Sequence, residues 1–475
     1  MKNKIKKICC IGAGYVGGPT MAVIAKYSPD IQINVVDTNE KRISQWNKKD
    51  LSLLPIYEPG LDQIIEKTRG INLHFSSEVN KNIEQADMIF ISVNTPTKTK
   101  GLGAGQASDL KWVEACARQV ASFAKGHTII VEKSTLPVRT AEVIKNILEG
   151  SKSKKSSEEK DKKSFEVLSN PEFLSEGTAI RDLEKPDRVL IGGENTNAIE
   201  ALSQIYLNWV PKEKILQTNI WSSELAKLTA NAFLAQRISS INSIGALCEA
   251  TGADVREVAR AIGTDSRIGA KFLDSGPGFG GSCFKKDILN LVYLSKYFGL
   301  PEVAKFWEGV VDLNNWHQKR ISELIVKKLF GTISGKKIVI LGFAFKANTN
   351  DTRESSAIQI CKDLIQEGAL LYIHDPKVIS EQICNDLNAS LIKEGESKDK
   401  GNYWFRVDDI TSSLKDADAV LILTEWDDYS DINWDLASKI MRHPAWVFDA
   451  RSIVDSKKIL ASDLNFWRIG DGSII

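Results

Sequence analysis

The chain has 475 residues, too many for one ordinary hydrophobic core, so two or three domains are expected. Its 62 Lys and Arg against 61 Asp and Glu give a formal charge of +1, which leaves no general attraction to nucleic acid or an acidic membrane; any anionic ligand must be held by local charges. No apolar run approaches the roughly 18 residues of a membrane span, the seven cysteines lack disulfide or metal spacing, and the five histidines are scattered. A cytoplasmic protein without a metal site follows, with its chemistry left to Cys, Lys, Asp and Glu.

The first third alternates β-branched runs, Ile5 to Ile11, Ile33 to Asp37, Met88 to Val93 and Thr128 to Lys133, with segments of helical period, which predicts a parallel sheet flanked by helices. Gly12-Ala-Gly14-Tyr15-Val16-Gly17 follows the first strand and opens a helix near Tyr15, the context that separates a dinucleotide fingerprint from ordinary turn glycines. Gly12 permits the tight turn, Gly14 lets backbone approach a pyrophosphate at the helix N-terminus, and Gly17 lets helix and strand pack closely. Asp37 closes the second strand, placed to bind the adenosine ribose and repel the extra phosphate of NADP, so the expected cofactor is NAD.

Residues 151–164 contain no apolar side chain and predict a mobile surface insertion, with order resuming at Phe165. From Ser222 to Ala250 apolar residues recur at helical spacing without proline, predicting a long connecting helix. Lys227 and Asn231 lie one turn apart on it and could stabilise an alkoxide; the alternative is a snorkelling surface lysine beside a solvated amide. Helical pattern continues through Val255 to Ile262, Asp287 to Phe298 and Val303 to Phe330. Within it, Gly278-Phe279-Gly280-Gly281-Ser282-Cys283 places a cysteine after a glycine-rich loop and at a helix start, where backbone N–H groups favour a thiolate. Asp287 shares its face one turn on; a buried cysteine and a surface Asp are the structural alternative.

Strand and helix alternation restarts at Ile338 to Leu341 and continues through Leu370 to His374, Ala419 to Leu423 and Trp446 to Asp449. Gly342 ends the first of these strands where a fingerprint would stand, and Lys346 and Arg353 follow, suited to nucleotide phosphates or to a structural role. The fold class is thus α/β, two Rossmann-like doubly wound domains joined by a long central helix and a helical middle domain. The expected boundaries are 1–221, 222–330 and 331–475, with substrate in the cleft between the two α/β domains.

Ile8 to Pro19, Val93 to Thr97, Glu132 to Thr135, Asn170 to Leu174, Ser223 to Leu228, Gly278 to Asp287, Gly342 to Lys346 and Asp351 to Arg353 together resemble the UDP-glucose/GDP-mannose dehydrogenase family over nearly the whole chain. Asn231 to Ser243 resembles the form of the central helix found in eukaryotic members. The resemblance implies NAD-dependent, four-electron oxidation of UDP-glucose to UDP-glucuronate through a cysteine thiohemiacetal and thioester. Sister substrates, GDP-mannose or a UDP-N-acetylhexosamine, and a non-catalytic nucleotide-sugar or NAD sensor are the alternatives.

In the scheme it implies, Cys283 is the nucleophile and Lys227 with Asn231 stabilises the oxyanion. Asp287 and Thr135 assist proton removal, and Glu172 is the base for thioester hydrolysis. The implied cofactor contacts are Gly12, Gly14, Tyr15, Val16, Gly17, Asp37, Arg42, Val93, Thr97, Ser134, Thr135, Glu176 and Arg353. For the sugar nucleotide they are Glu172, Phe173, Leu174, Lys227, Asn231, Phe272, Phe279, Gly280, Lys346 and Arg451, with Arg267 supplied by a neighbouring subunit. Self-association through the central helix into a dimer or hexamer is implied as well. Two features depart from the animal pattern: the approach Ser275-Gly-Pro-Gly278 to the cysteine loop, and the insertion.

Overall fold

The computed structural model describes residues 4–135, 137–150, 163–393 and 402–473. Most of the predicted insertion, residues 151–162, lies outside the described residues; Ser164, assigned to it from sequence, instead opens a strand. The chain divides into two compact units, Met1–Ala230 with Lys296–Phe298, and Asn231–Ser295 with Gly299–Ile475.

The first unit is built on strands β1 (Lys7–Ile11), β2 (Gln32–Val36), β3 (Leu73–Ser76), β4 (Met88–Ile91), β5 (His127–Glu132), β6 (Ser164–Ser169), β7 (Val189–Gly192) and β8 (Ile215–Thr218). They form one eight-stranded sheet in the order β3-β2-β1-β4-β5-β6-β7-β8. Only the β6–β7 pair is antiparallel. Strand alternation explains the apolar runs. Ile8 and Cys10 of β1 and Met88 and Phe90 of β4 enter one core with Met21, Ile24 and Trp46, whereas Cys9, Ile11, Ile89 and Ile91 enter the other with Val113 and Val120. The strand order reverses between β1 and β4, so the crevice beyond their carboxyl ends is where such a sheet binds ligand.

In the second unit, β9 (Lys337–Leu341), β10 (Leu370–His374), β11 (Ser390–Leu391), β12 (Tyr403–Arg406), β13 (Ala419–Ile422), β14 (Trp446–Asp449) and β15 (Asn465–Arg468) pair in the order β11-β12-β10-β9-β13-β14-β15. Every pair is parallel, and the order reverses between β9 and β13. This is a second doubly wound sheet. The short strands β3, β7, β8, β11, β12 and β15 were not distinguished by their sequence pattern.

The long helix runs from Ile220 to Thr251, slightly beyond its predicted span. Leu228, Ala232, Ala235 and Ile241 are buried along it, whereas Trp221, Phe233 and Leu247 are exposed. In the second unit Ala232 and Ala235 pack with Ile288 and Val292 of the helix Phe284–Tyr297 and with Ala304, Val310 and Val311 of the helix Pro301–Lys328. The latter starts at Pro301, whose missing N–H costs nothing in a first turn, and ends on Lys327 and Lys328, which suit the carboxyl end of the helix dipole. Among the described residues no helix is long and apolar enough to cross a membrane.

Candidate active site

The fingerprint loop fits a dinucleotide diphosphate. Gly12 has φ +112°, and a Cβ there would stand 2.2 Å from the Ser92 carbonyl oxygen. A Cβ on Gly17 would meet the Gly12 carbonyl oxygen at 2.1 Å, whereas one on Gly14 would meet nothing within 4 Å, so Gly14 faces open space that a phosphate can approach. The helix Gly17–Tyr27, with no acidic residue in its first turn, begins two residues after Tyr15, the predicted start. Val16 is its N-cap. Asp37 Oδ2 accepts the Ala13 N–H at 3.0 Å and Oδ1 accepts Asn39 N–H at 2.9 Å, while Arg42 Nη1 lies 3.5 Å from Oδ2. The carboxylate is thereby held at the end of β2; Thr38, next along the chain, lines an open cavity of about 370 Å³ together with Ser77, Glu78, Val79, Asn80, Lys81 and Gln119. On the far side of β1, Ser134 Oγ donates to the Val93 carbonyl at 2.7 Å, and Thr97 bridges Ser108.

The carboxyl ends of β5 and β6 bring Thr135 and Glu172 together: Thr135 Oγ1 donates to Glu172 Oε1 at 2.9 Å. Lys227 Nζ lies 3.6 Å from the same oxygen and 5.5 Å from the centre of the Phe173 ring, which Arg188 also covers at 3.8 Å. Lys227 is only 4% exposed, so the snorkelling alternative is overturned. Buried Lys133 ties the two strand ends, donating to Asn170 Oδ1 at 3.1 Å and to Tyr206 Oη at 3.3 Å. Leu174 and Glu176 are half-buried in the segment that follows.

In the second unit, Cys283 stands immediately before the helix Phe284–Tyr297, and its carbonyl accepts the Asp287 N–H at 2.8 Å, closing the first turn. Asp287 is buried rather than on the surface, and Asn231 Nδ2 donates to its Oδ2 at 2.6 Å. Cys283 is partly exposed, with Ser282 Oγ 3.4 Å from its sulfur. By contrast Cys9, Cys10, Cys116, Cys248 and Cys361 are buried, and burial pushes the Cys9 and Cys116 thiols up to about 12.

The loop leading to Cys283 is held from several sides. Asn242 Oδ1 accepts from Ser275 Oγ and Gly276 N, both at 3.0 Å. Asn314 pairs with both backbone groups of Phe279, at 2.9 and 3.2 Å. Gly281 N donates to the Arg353 carbonyl at 2.8 Å, and a Cβ on Gly280 would lie 2.5 Å from the Glu354 carbonyl oxygen. Phe279 is buried and Phe272 exposed at φ +62°.

Arg353 pairs with Asp351, Nε to Oδ1 2.8 Å. Past the carboxyl ends of β9 and β13, Arg451 donates to the Leu423 and Phe345 carbonyls, both at 2.8 Å, and lies 3.1 Å from Glu425; Lys346 follows Phe345. Arg267 is not gathered with these groups: its side chain is 87% exposed and pairs with Asp265.

Residues 6–210, 221–316 and 339–456 match, in turn, the NAD binding, central and UDP binding domains of the UDP-glucose/GDP-mannose dehydrogenase family. The chain is 53% identical over 468 residues to a UDP-glucose 6-dehydrogenase of Drosophila melanogaster, covering 98% of this chain and 96% of that one. It is 55% identical over 460 residues to one of Gallus gallus, covering 95% and 90%. It belongs to the UDP-glucose/GDP-mannose dehydrogenase family. A solved UDP-glucose dehydrogenase from Pyrobaculum islandicum superposes on this family member with a TM-score of 0.82 at 28% identity, over 99% of this chain and 98% of that one. The oxidoreductase class, the NAD cofactor and the paired Rossmann-like folds expected from the sequence therefore stand.

Several groups of this dehydrogenase had no signal of their own in the sequence. Arg188 and Tyr206 reach the site segments from distant elements, and Asn242, inside the Asn231 to Ser243 stretch that carried part of the resemblance, reaches the loop before Cys283. Glu132, Lys133 and Glu224 do lie inside the segments that carried the resemblance, next to Ser134, Thr135 and Lys227, and that adjacency was their one legible sign.

Proposed function

We propose that the chain oxidises UDP-glucose to UDP-glucuronate, with residues 1–221 holding NAD, 222–330 carrying the nucleophile and 331–475 holding the UDP group. The observation that carries this reading is Cys283 at a helix start, with Asp287 buried one turn on and hydrogen-bonded by Asn231. NAD, held by residues 1–221, would supply the hydride acceptor, one molecule for each of the two oxidations at C6. Asp287, assisted by Thr135, takes the C6 hydroxyl proton as the alcohol becomes an aldehyde. The Cys283 thiolate, favoured by the first backbone N–H groups of its helix, adds to that aldehyde, and Lys227 and Asn231 stabilise the oxyanion. Loss of the second hydride leaves a thioester.

Water cleaves the thioester, releasing the carboxylate and the thiol, with Glu172 as base. Glu172 Oε1 is held by Thr135, while the buried Oε2 receives no hydrogen bond from the described residues and so keeps its lone pairs for a water. Around the cofactor the reading assigns Gly12, Gly14, Tyr15, Val16, Gly17, Asp37, Arg42, Val93, Thr97, Ser134, Glu176 and Arg353. Around the sugar nucleotide it assigns Phe173, Leu174, Phe272, Phe279, Gly280, Lys346 and Arg451, with Arg267 from a second copy. The exposed Trp221, Phe233 and Leu247 of the long helix support self-association there, in a cytoplasmic homo-oligomer.

The test is NADH released per UDP-glucose consumed, with the product identified by mass. Two NADH per sugar from the wild type, and no completed turnover by Cys283→Ser, are expected. A wild type that ignores UDP-glucose but turns over GDP-mannose or a UDP-N-acetylhexosamine would reassign the substrate, and ligand binding without any NADH would make the protein a sensor.

A further inference from the structure

Thr135 stands between Glu132 and two backbone N–H groups, of Arg139 and Ala141, that one distant side chain binds. Glu132, the last residue of β5, precedes it. Glu224, on the first turns of the long helix and one turn before Lys227, accepts the Arg139 N–H at 2.7 Å and the Ala141 N–H at 2.8 Å with its two carboxylate oxygens. It thereby caps the helix Thr140–Gly150 from a distant part of the chain. The Glu132 carboxyl lies close enough to that same Glu224 for the two groups to act on each other's charge. Both acids are buried, 2% and 3% exposed, and no N–H or hydroxyl donor of the described residues reaches either oxygen of Glu132.

The nearby cations are committed elsewhere. Lys133 serves Asn170 and Tyr206, Lys227 lies against Glu172, and the Arg139 guanidinium covers the rings of Trp221 and Phe298. Two buried carboxylates facing each other without a cation cannot both be ionised. We infer that Glu132 and Glu224 share a proton, Glu132 as the acid that donates and Glu224 as the anion that receives, and that this pair positions Thr135 against the turn of the long helix bearing Lys227.

Burial, reinforced by the Glu224 charge, holds the Glu132 carboxyl well above the usual carboxylate range. Burial raises Glu224 too, but the Ala141 and Arg139 N–H groups oppose it, which makes Glu224 the partner that keeps the charge. The pair touches neither the sulfur nor the carboxylate of Glu172; it is a positioning device for the reaction proposed above and rests on that reading.

The assignment of acid and anion is tested by isosteric variants with opposite expectations. Glu132→Gln keeps a donor toward Glu224, so kcat should stay within about threefold of wild type, while Glu132→Leu, with no donor, should lose about tenfold or more. Glu224→Gln loses the anion, so kcat should fall by about tenfold or more while KM for NAD moves less than about threefold. A second readout needs no substrate. Hydrogen exchange at the Arg139 and Ala141 amides should be as slow in Glu132→Gln as in wild type, and faster in Glu224→Gln.

Equal activity of the two Gln variants, equal loss in Glu132→Gln and Glu132→Leu, or unchanged exchange in Glu224→Gln overturns the inference. If the wild type does not oxidise UDP-glucose, the functional reading fails, and the exchange comparison still decides the pair.

Discussion

His317 lies on the helix Pro301–Lys328, and its ring Nε2 is 2.9 Å from the Gly276 carbonyl, which can only accept, so Nε2 carries the proton. The ring is 1% exposed, and Nδ1 has no hydrogen-bond partner among the described residues. Protonation would create a second N–H with nowhere to bond. Burial first, and then the Arg320 guanidinium, push the imidazole down from 6.5 to about 4. A fall of that size corresponds to about 3 kcal/mol at about 1.36 kcal/mol per pH unit.

The folded protein refuses a proton that the unfolded chain takes, so the stability His317 carries is complete above pH 6.5 and is lost as the pH falls toward 4. About 2 kcal/mol should be gone by pH 5. Because Gly276 lies in the loop leading to Cys283, the loss should loosen that loop. Urea unfolding by tryptophan fluorescence at pH 7.5, 6 and 5, on wild type and His317→Gln, isolates the effect, because the Gln amide can still donate to Gly276 and does not titrate. The difference between the two proteins should change by about 2 kcal/mol over that range. A difference that stays constant within about 0.5 kcal/mol would refute the buried neutral ring.

Gly12→Ala should weaken NAD binding by about tenfold or more, since the new Cβ both strains a backbone at φ +112° and collides with Ser92; calorimetric titration giving wild-type affinity would count against the fingerprint geometry. Asn231→Asp places a second carboxylate where the amide now lies 2.6 Å from Asp287, so one of the two must hold a proton, and kcat should fall by about 100-fold with a shifted pH–rate profile. A profile identical to wild type would remove Asn231 from the chemistry.

The sequence alone determined what depends on local pattern. Gly12 to Gly17 after an apolar strand, the helical spacing from Ser222 to Ala250 and the glycines before Cys283 each state a backbone conformation through which residues can occur there, and short-range sterics decide that. It did not single out Leu73–Ser76 or Val189–Gly192, although Met88–Ile91 and Ala419–Ile422, equally short, were legible; pairing with their neighbours is what makes the former strands.

Lys227 was equally consistent with a solvated and a buried side chain, because a single lysine on an apolar helix carries no record of what lies opposite it. Only the folded chain, by bringing Glu172 and Phe173 to it from the end of β6, decided that it is buried and paired. The same holds for Glu132 and Glu224, which are 92 residues apart in sequence (224 minus 132) and ordinary acids until tertiary packing removes water from both. Desolvation is a property of the assembled interior, so the protonation of these acids and of His317 belongs to the fold rather than to any segment of the chain.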